Sequence, residues 1–277
     1  MNNIITRALT GLVFVITIAG SAYFDFNIFS FIVGLYAVLA MREFYKLIST
    51  EEAKPLIILG IIVGLCIYII TFLNVKCVIL KKHAEIFYVS VFVLSMFVFL
   101  IELYRHSSLP FLNIAYTFFG VIYIAIPFSM LISFSAFEKE YNAVSYQVLG
   151  YFLILWSYDT FAYLTGMKFG KHRLFERISP KKSWEGVIGG ALFAFLSAYL
   201  MSAFFSPYSL SHWCIIALII IIFGTFGDLV ESMLKRSLNM KDSGTILPGH
   251  GGILDRFDAV FISAPFVFLY LEISVFI

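Results

Sequence analysis

The sequence predicts an all-α integral membrane protein, a polytopic helical bundle of about nine transmembrane helices with a cytoplasmic N-terminus. Three observations carry that expectation. Of the 277 residues, 61% are hydrophobic and only 13% charged, with a mean hydropathy of +0.95; a soluble domain is about a quarter charged and about half apolar. Apolar runs of roughly 20 residues recur along the chain, the length that crosses ~30 Å of hydrocarbon as a helix. The two-residue alternation of a membrane β-barrel is absent, which leaves helices to satisfy the backbone groups in lipid.

The spans are expected at about 8–24, 27–41, 55–73, 86–101, 111–135, 143–165, 186–205, 212–228 and 257–277. The first follows Arg7 and has no small-residue cleavage site, so it reads as a retained helix and not a removed signal. The second and fourth are short, suited to little tilt or to partial residence at the interface. With the first, third and fifth they make up residues 1–142, which hold few intramembrane polar groups and read as scaffold. Residues 143–277 hold the chemistry. The sixth span carries Asp159 in LILWSYDTFAYLTG, the eighth ends on Asp228 in GTFGDLVES, and the ninth begins at Asp258, after which Glu272 is the sole charge. Gly224 and Gly227, just before Asp228, suit close helix packing.

Charge sets the orientation. With the N-terminus inside, 15 of the 19 Lys and Arg fall on the cytoplasmic side, with Lys76, Lys81 and Lys82 the main exceptions. The two long charged loops, 166–185 and 229–256, then face the cytoplasm. Cys66, Cys77 and Cys214 are isolated and read as small hydrophobes, with no disulfide or zinc spacing. No internal repeat, low-complexity tract or soluble domain is visible, and no nucleic-acid partner is expected.

Ionisable groups inside a span are costly and mark function by default. Asp228, Glu231 and Ser232 stand at i, i+3 and i+4, on one helix face if the eighth helix continues past the bilayer. Asp255 and Asp258, at i and i+3, share a face in the same way. Hard carboxylate oxygens on two converging helix ends suit Mg²⁺ or Mn²⁺, which binds one or two carboxylates plus phosphate and water; the plainer reading pairs them with Lys235, Arg236 and Arg256. The turn Pro248-Gly249-His250-Gly251-Gly252 either brings backbone amides to an anion or is a bare loop before a helix. The basic stretch GMKFGKHRLFERISPKKSWEG is either a topology signal or, through Lys181, Lys182 and Ser183, a phosphate clamp. His172 and His212 read as interfacial or solvent residues. Zincin, Walker A and nucleophile-elbow motifs are absent.

These residues resemble the bacterial CDP-diacylglycerol synthases, or phosphatidate cytidylyltransferases. The resemblance runs through Ser232, Lys235-Arg236, Lys241-Asp242, His250-Gly251-Gly252, Asp255-Arg256 and Asp258 without gap or mismatch. Upstream it includes Asp159, Ala162-Tyr163, Gly166, Phe169-Gly170-Lys171-His172 and Ser179 through Gly186, so it covers about residues 156–258. It implies transfer of CMP from CTP to phosphatidate with release of pyrophosphate, by a Mg²⁺-dependent, dimeric enzyme of the plasma or inner membrane working at the cytoplasmic face. It leaves room for a monovalent cation such as K⁺. On this reading Asp228, Asp255 and Glu231 hold the metal, and Asp228, Asp255, Asp258, Lys235 and Arg236 are catalytic. Asp159, Lys181, Lys182, Ser183, Ser232, Lys241, His250, Gly251, Gly252 and Arg256 contact substrate. A CTP-dependent lipid kinase is the rival enzyme. A transporter is disfavoured by the gathering of the acids at one face without a repeat.

Overall fold

A computed structural model describes residues 3–76, 81–137, 145–205, 207–240, 243–244 and 251–275. Among these, the chain forms nine long helices: α1 (Asn3–Phe24), α2 (Phe26–Ile48), α3 (Ile57–Val75), α4 (Lys81–Tyr104), α5 (Pro110–Phe137), α6 (Tyr146–Phe169), α7 (Trp184–Phe204), α8 (Leu210–Ser237) and α9 (Leu254–Ser274). Each expected span falls on one of them. Seven are long and apolar enough to cross a membrane: α2, α3, α4 from Glu85, α5, α7, α8 and α9. The described apolar part of α1, Leu9–Phe24, is shorter, and α6 is diluted by polar residues such as Gln147, Ser157, Asp159 and Lys168.

Local chemistry sets the breaks. Asp25 separates α1 from α2 by capping the latter, accepting from the N–H of Asn27 (2.7 Å) and Ile28 (3.0 Å). Pro110 opens α5 at a position where its missing N–H costs nothing. Ser183 caps α7 through the N–H of Gly186 (3.2 Å). Wide π turns interrupt α5 at Val121–Ala125, α7 at Met201–Phe205 and α8 at Ile220–Gly224.

The helix ends correct the sequence boundaries. α2 is not short: it runs 23 residues, on through Arg42, Glu43 and Lys46. Hydropathy stops at those charges, but the helix continues because Glu43 is buried and bonded there. α4 is likewise 24 residues long. α8 continues to Ser237, as the i, i+3, i+4 pattern of its acids requires. Between α6 and α7 stands a small antiparallel hairpin, β1 (Arg173–Phe175) and β2 (Ser179–Ser183), pairing Arg173 with Ser183 and Phe175 with Ser179.

α9 is the central post. Phe257 packs on Phe14 of α1, Tyr36 of α2 and Phe128 of α5, with ring centroids 4.8–5.5 Å apart; Phe261, one turn on, packs on Phe128 and Tyr123. Large apolar side chains such as Phe31, Ile58 and Phe111 point outward at 75–79% exposure, the arrangement that lipid, not water, favours. α8 meets α9 closely at Gly227: a Cβ there would lie 2.5 Å from the Asp258 carbonyl oxygen and 2.9 Å from the Cα of Ala259. Those atoms are backbone and cannot swing aside. Gly227→Ala should therefore cost on the order of 1–3 kcal/mol by overpacking and lower the melting temperature in detergent. Gly224→Ala, whose Cβ would meet neighbours only at 3.6 Å, should melt near wild type.

Candidate functional site

The site is assembled from the end of α8, the start of α9, the hairpin and α2. The turn of α8 from Asp228 to Ser232 presents both its acids to one side, and the Ser232 hydroxyl donates to Asp228 Oδ1 (3.3 Å). Through the Gly227 contact, α9 brings Asp258 against that face. Ligand oxygens of Asp228, Glu231 and Asp258 all lie within 4.8 Å of one another. If all three were ionised, each pair would repel by roughly 3–4 kcal/mol at an effective dielectric of about 20, so the cluster demands positive charge.

Two lysines supply part of it. Lys182 Nζ lies 2.5 Å from Asp228 Oδ2 and donates to the Thr225 carbonyl (3.4 Å). Lys235 Nζ sits between Glu231 Oε2 (2.6 Å) and Asp255 Oδ1 (2.8 Å). Glu231 is 0% exposed, yet neither of its oxygens has an aligned hydrogen bond, because the lysine meets it as an ion pair from one side. A buried, under-bonded carboxylate beside two other acids is a donor set that fits a small hard cation such as Mg²⁺.

Asp255, expected to join Asp228 and Glu231 around a metal, lies beside Glu231 and shares Lys235 with it, and it has further partners. Beyond Lys235, it accepts from the N–H of Gly252 (2.8 Å) and Ser243 (3.0 Å), so both its oxygens are engaged. The cause is its place in the first turn of α9, where the incoming chain offers unpaired amides. Asp258, nearly one turn deeper, faces α8 and stands in the converging set.

The hairpin sorts its lysines by the alternation of a strand. Lys182 turns into the site, while Lys181 is exposed. Ser183 is buried, its oxygen taken by the cap of α7. His172 is exposed as expected, but it is not idle: its Nδ1 bonds Glu185 (2.6 Å), whose carboxylate also accepts from the N–H of Lys171 (3.1 Å) and so ties the hairpin to α7. Asp159 is exposed, within electrostatic reach of Asp228, Lys182 and Arg256. Arg236 is exposed at the end of α8 and donates to the Met240 carbonyl (3.5 Å). Lys241 and His250 lie outside the described residues.

The paired glycines change meaning. Gly251 has φ +82°, a conformation that disfavours a side chain, and a Cβ on Gly252 would lie 2.5 Å from Glu43 Oε2. The anions these glycines approach are the chain's own carboxylates, Asp255 and Glu43. Glu43 of α2 is 6% exposed, and its Oε2 accepts from the Leu254 N–H (2.9 Å) at the start of α9. Gly244 also packs against it. Residues 1–142, read as scaffold, thus supply a side chain that holds the entry to α9. The signal was present in the sequence, an acid just past the apolar run 27–41 and followed at once by Phe44 and Tyr45.

Together these features define a class: a polytopic helical membrane protein with a carboxylate cluster, screened by lysines, where helix ends meet a basic hairpin. Residues 5–274 match the profile of the Cytidylyltransferase family, and the chain belongs to that family. Among similar proteins, the phosphatidate cytidylyltransferase of Staphylococcus aureus (strain COL) is 41% identical over 167 residues, which are 60% of this chain and 62% of that protein. The phosphatidate cytidylyltransferase of Rickettsia prowazekii (strain Madrid E) is 42% identical over 164 residues, 56% of this chain and 70% of that protein. The match therefore spans less than two thirds of the staphylococcal protein's length.

Removing the Glu43 carboxylate would orphan the Leu254 N–H at the buried start of α9. Glu43→Ala should cost about 1–3 kcal/mol, read as a lower melting temperature in detergent. Glu43→Gln, which keeps an acceptor oxygen, should recover most of that loss.

Proposed function

We propose that this protein transfers CMP from CTP to phosphatidate, yielding CDP-diacylglycerol and pyrophosphate. The observation that carries the reading is the convergence of Asp228, Glu231 and Asp258, screened by Lys182, in a membrane-embedded bundle. Family membership and the names of the relatives support the substrates. Phosphatidate brings its own anionic oxygen, so no general base is needed. That oxygen attacks the α-phosphorus of CTP, a P–O bond forms, the bond to the β-phosphate breaks, and its electron pair leaves with pyrophosphate. The obstacle is bringing two anions together, which positioning and charge neutralisation overcome.

Asp228, Glu231 and Asp258 would hold the Mg²⁺, which when bound neutralises phosphate charge and polarises the phosphorus under attack. Lys182 and Arg256, both within electrostatic reach of Asp159, would receive phosphate oxygens. Lys235, held by two carboxylates, fixes Glu231 and Asp255 in place. Asp159 borders the substrate groove. The surplus of carboxylates also leaves room for a monovalent cation such as K⁺. The excess of basic residues in the loops beside the site supports a cytoplasmic N-terminus and access for cytoplasmic CTP at the inner face of the cell membrane. A homodimer accompanies this reading.

The deciding experiment incubates purified protein in detergent with phosphatidate and CTP labelled at the α- or γ-phosphate, followed by chromatography of the lipid. Label from the α-phosphate should enter the lipid with release of pyrophosphate; γ-label in the lipid with release of CDP would establish a kinase instead. Asp228→Asn and Asp258→Asn should each leave less than about a tenth of the activity, since each weakens the hold on the cation whose charge would offset that of the transition state, with little change in melting temperature.

The two hairpin lysines give a second test. Lys182→Ala should lower kcat/KM about tenfold or more, the worth of a charge-assisted hydrogen bond in a desolvated site. Lys181→Ala, which removes only an exposed charge near lipid, should change it less than about fivefold. Equal losses would make the hairpin a general basic patch.

A further inference from the structure

One buried hydroxyl beside the cluster has no role in the fold. Tyr123 lies in the wide turn Val121–Ala125 of α5 and is 6% exposed. Its ring stacks on Phe119 (centroids 5.3 Å, planes 20° apart) and packs on Phe261 (5.1 Å). Phe261 follows Asp258 by one turn of α9, so this packing sets Tyr123 against the helix that carries Asp258, within electrostatic reach of Asp258, Glu231 and Asp228. The Tyr123 oxygen nevertheless has no hydrogen-bond partner among the described residues.

Other buried tyrosines behave differently. Tyr45 donates to the Thr117 carbonyl (2.7 Å), Tyr68 to the Ser30 carbonyl (2.6 Å), and Tyr151 shares a hydrogen bond with Ser263 (2.6 Å). Tyr158 bonds Thr225. An unbonded buried hydroxyl destabilises the fold, and phenylalanine would fill the same aromatic niche without that cost. A π turn, moreover, is a frequent companion of functional sites. What Tyr123 offers is an O–H directed to an acceptor that arrives from outside the chain. Within electrostatic reach of three carboxylates, the fitting acceptor is an oxygen brought by a cation or by a phosphate.

We propose that Tyr123 is a ligand-binding residue of this site, its hydroxyl donating a hydrogen bond to an oxygen held over Asp228, Glu231 and Asp258. That oxygen belongs either to water on a bound divalent cation or to a nucleotide phosphate. The proposal rests on the reading of the cluster as a cation-dependent nucleotide site.

The test uses the full chain in detergent as wild type, Tyr123→Phe and Tyr151→Phe, melted without ligand, with Mg²⁺ alone, and with Mg²⁺ plus CTP. Without ligand, Tyr123→Phe should melt at or above wild type, whereas Tyr151→Phe, which loses its bond to Ser263, should melt lower. On adding ligand, Tyr123→Phe should show a smaller rise than wild type, and Tyr151→Phe the full rise. A deficit with Mg²⁺ alone identifies the oxygen as cation-bound water; a deficit that emerges only with CTP identifies a phosphate oxygen. Turnover of Tyr123→Phe should fall about tenfold or more, the worth of one hydrogen bond to a charged group, while Tyr151→Phe stays near wild type. A wild-type ligand response and turnover in Tyr123→Phe would overturn the proposal, as would a ligand-free melting temperature below wild type, the mark of a hydroxyl bonded within the fold. If wild type itself shows no rise with either ligand, the cation-site reading fails and this proposal with it.

Discussion

Three carboxylates are held against one another at the junction of α8 and α9, and much of the surrounding structure answers to that constraint. The acids approach because Gly227 lets the two helices touch backbone to backbone. Left alone they would push the helices apart. Lys182 from the hairpin and Lys235 from α8 itself offset part of the repulsion, and the remainder is what makes the place attractive to a cation. The same charges that burden the fold are the ones the proposed chemistry uses.

A second layer keeps that junction in register. Asp255 and Glu43, on opposite sides of the chain entering α9, take its free amides and hold the glycines at 244 and 252 close. Lys235 links Asp255 to Glu231, so the amides, the lysine and the acidic cluster form one connected polar network, whose members are worth more together than singly. Beneath it, the aromatic rings of α1, α2, α5 and α9 fix the position of α9 in the bundle. At the open side, Glu185 gathers the amides of the hairpin and its histidine, which sets the strand so that Lys182, and not Lys181, faces inward. A short piece of strand thus gives a helical protein a directional choice between two adjacent lysines.

Composition and run length made the helical membrane class legible, because lipid admits few ways to satisfy a backbone. Helix positions followed for the same reason. Their ends did not: α2 and α8 continue through charged residues whose cost is met by partners far away in sequence, Leu254 for Glu43 and Lys182 for Asp228. The spacing of Asp228, Glu231 and Ser232 was readable as one helix face, since that is local geometry. Which acid of α9 would meet them was not, because Asp255 and Asp258 have the same type and lie on one face. The depth of each in the α8–α9 contact separates them.

The sequence by itself therefore determined the helical bundle and the shared helix face of Asp228, Glu231 and Ser232, since hydropathy and helical period act over neighbours. Only the tertiary structure decided that Glu43 of the first half holds the entry to α9, that Asp258 meets Asp228 and Glu231, and that one hairpin lysine points inward. Those outcomes depend on which donors and charges meet across the bundle. Burial raises the consequence of each such meeting, and no local pattern records it.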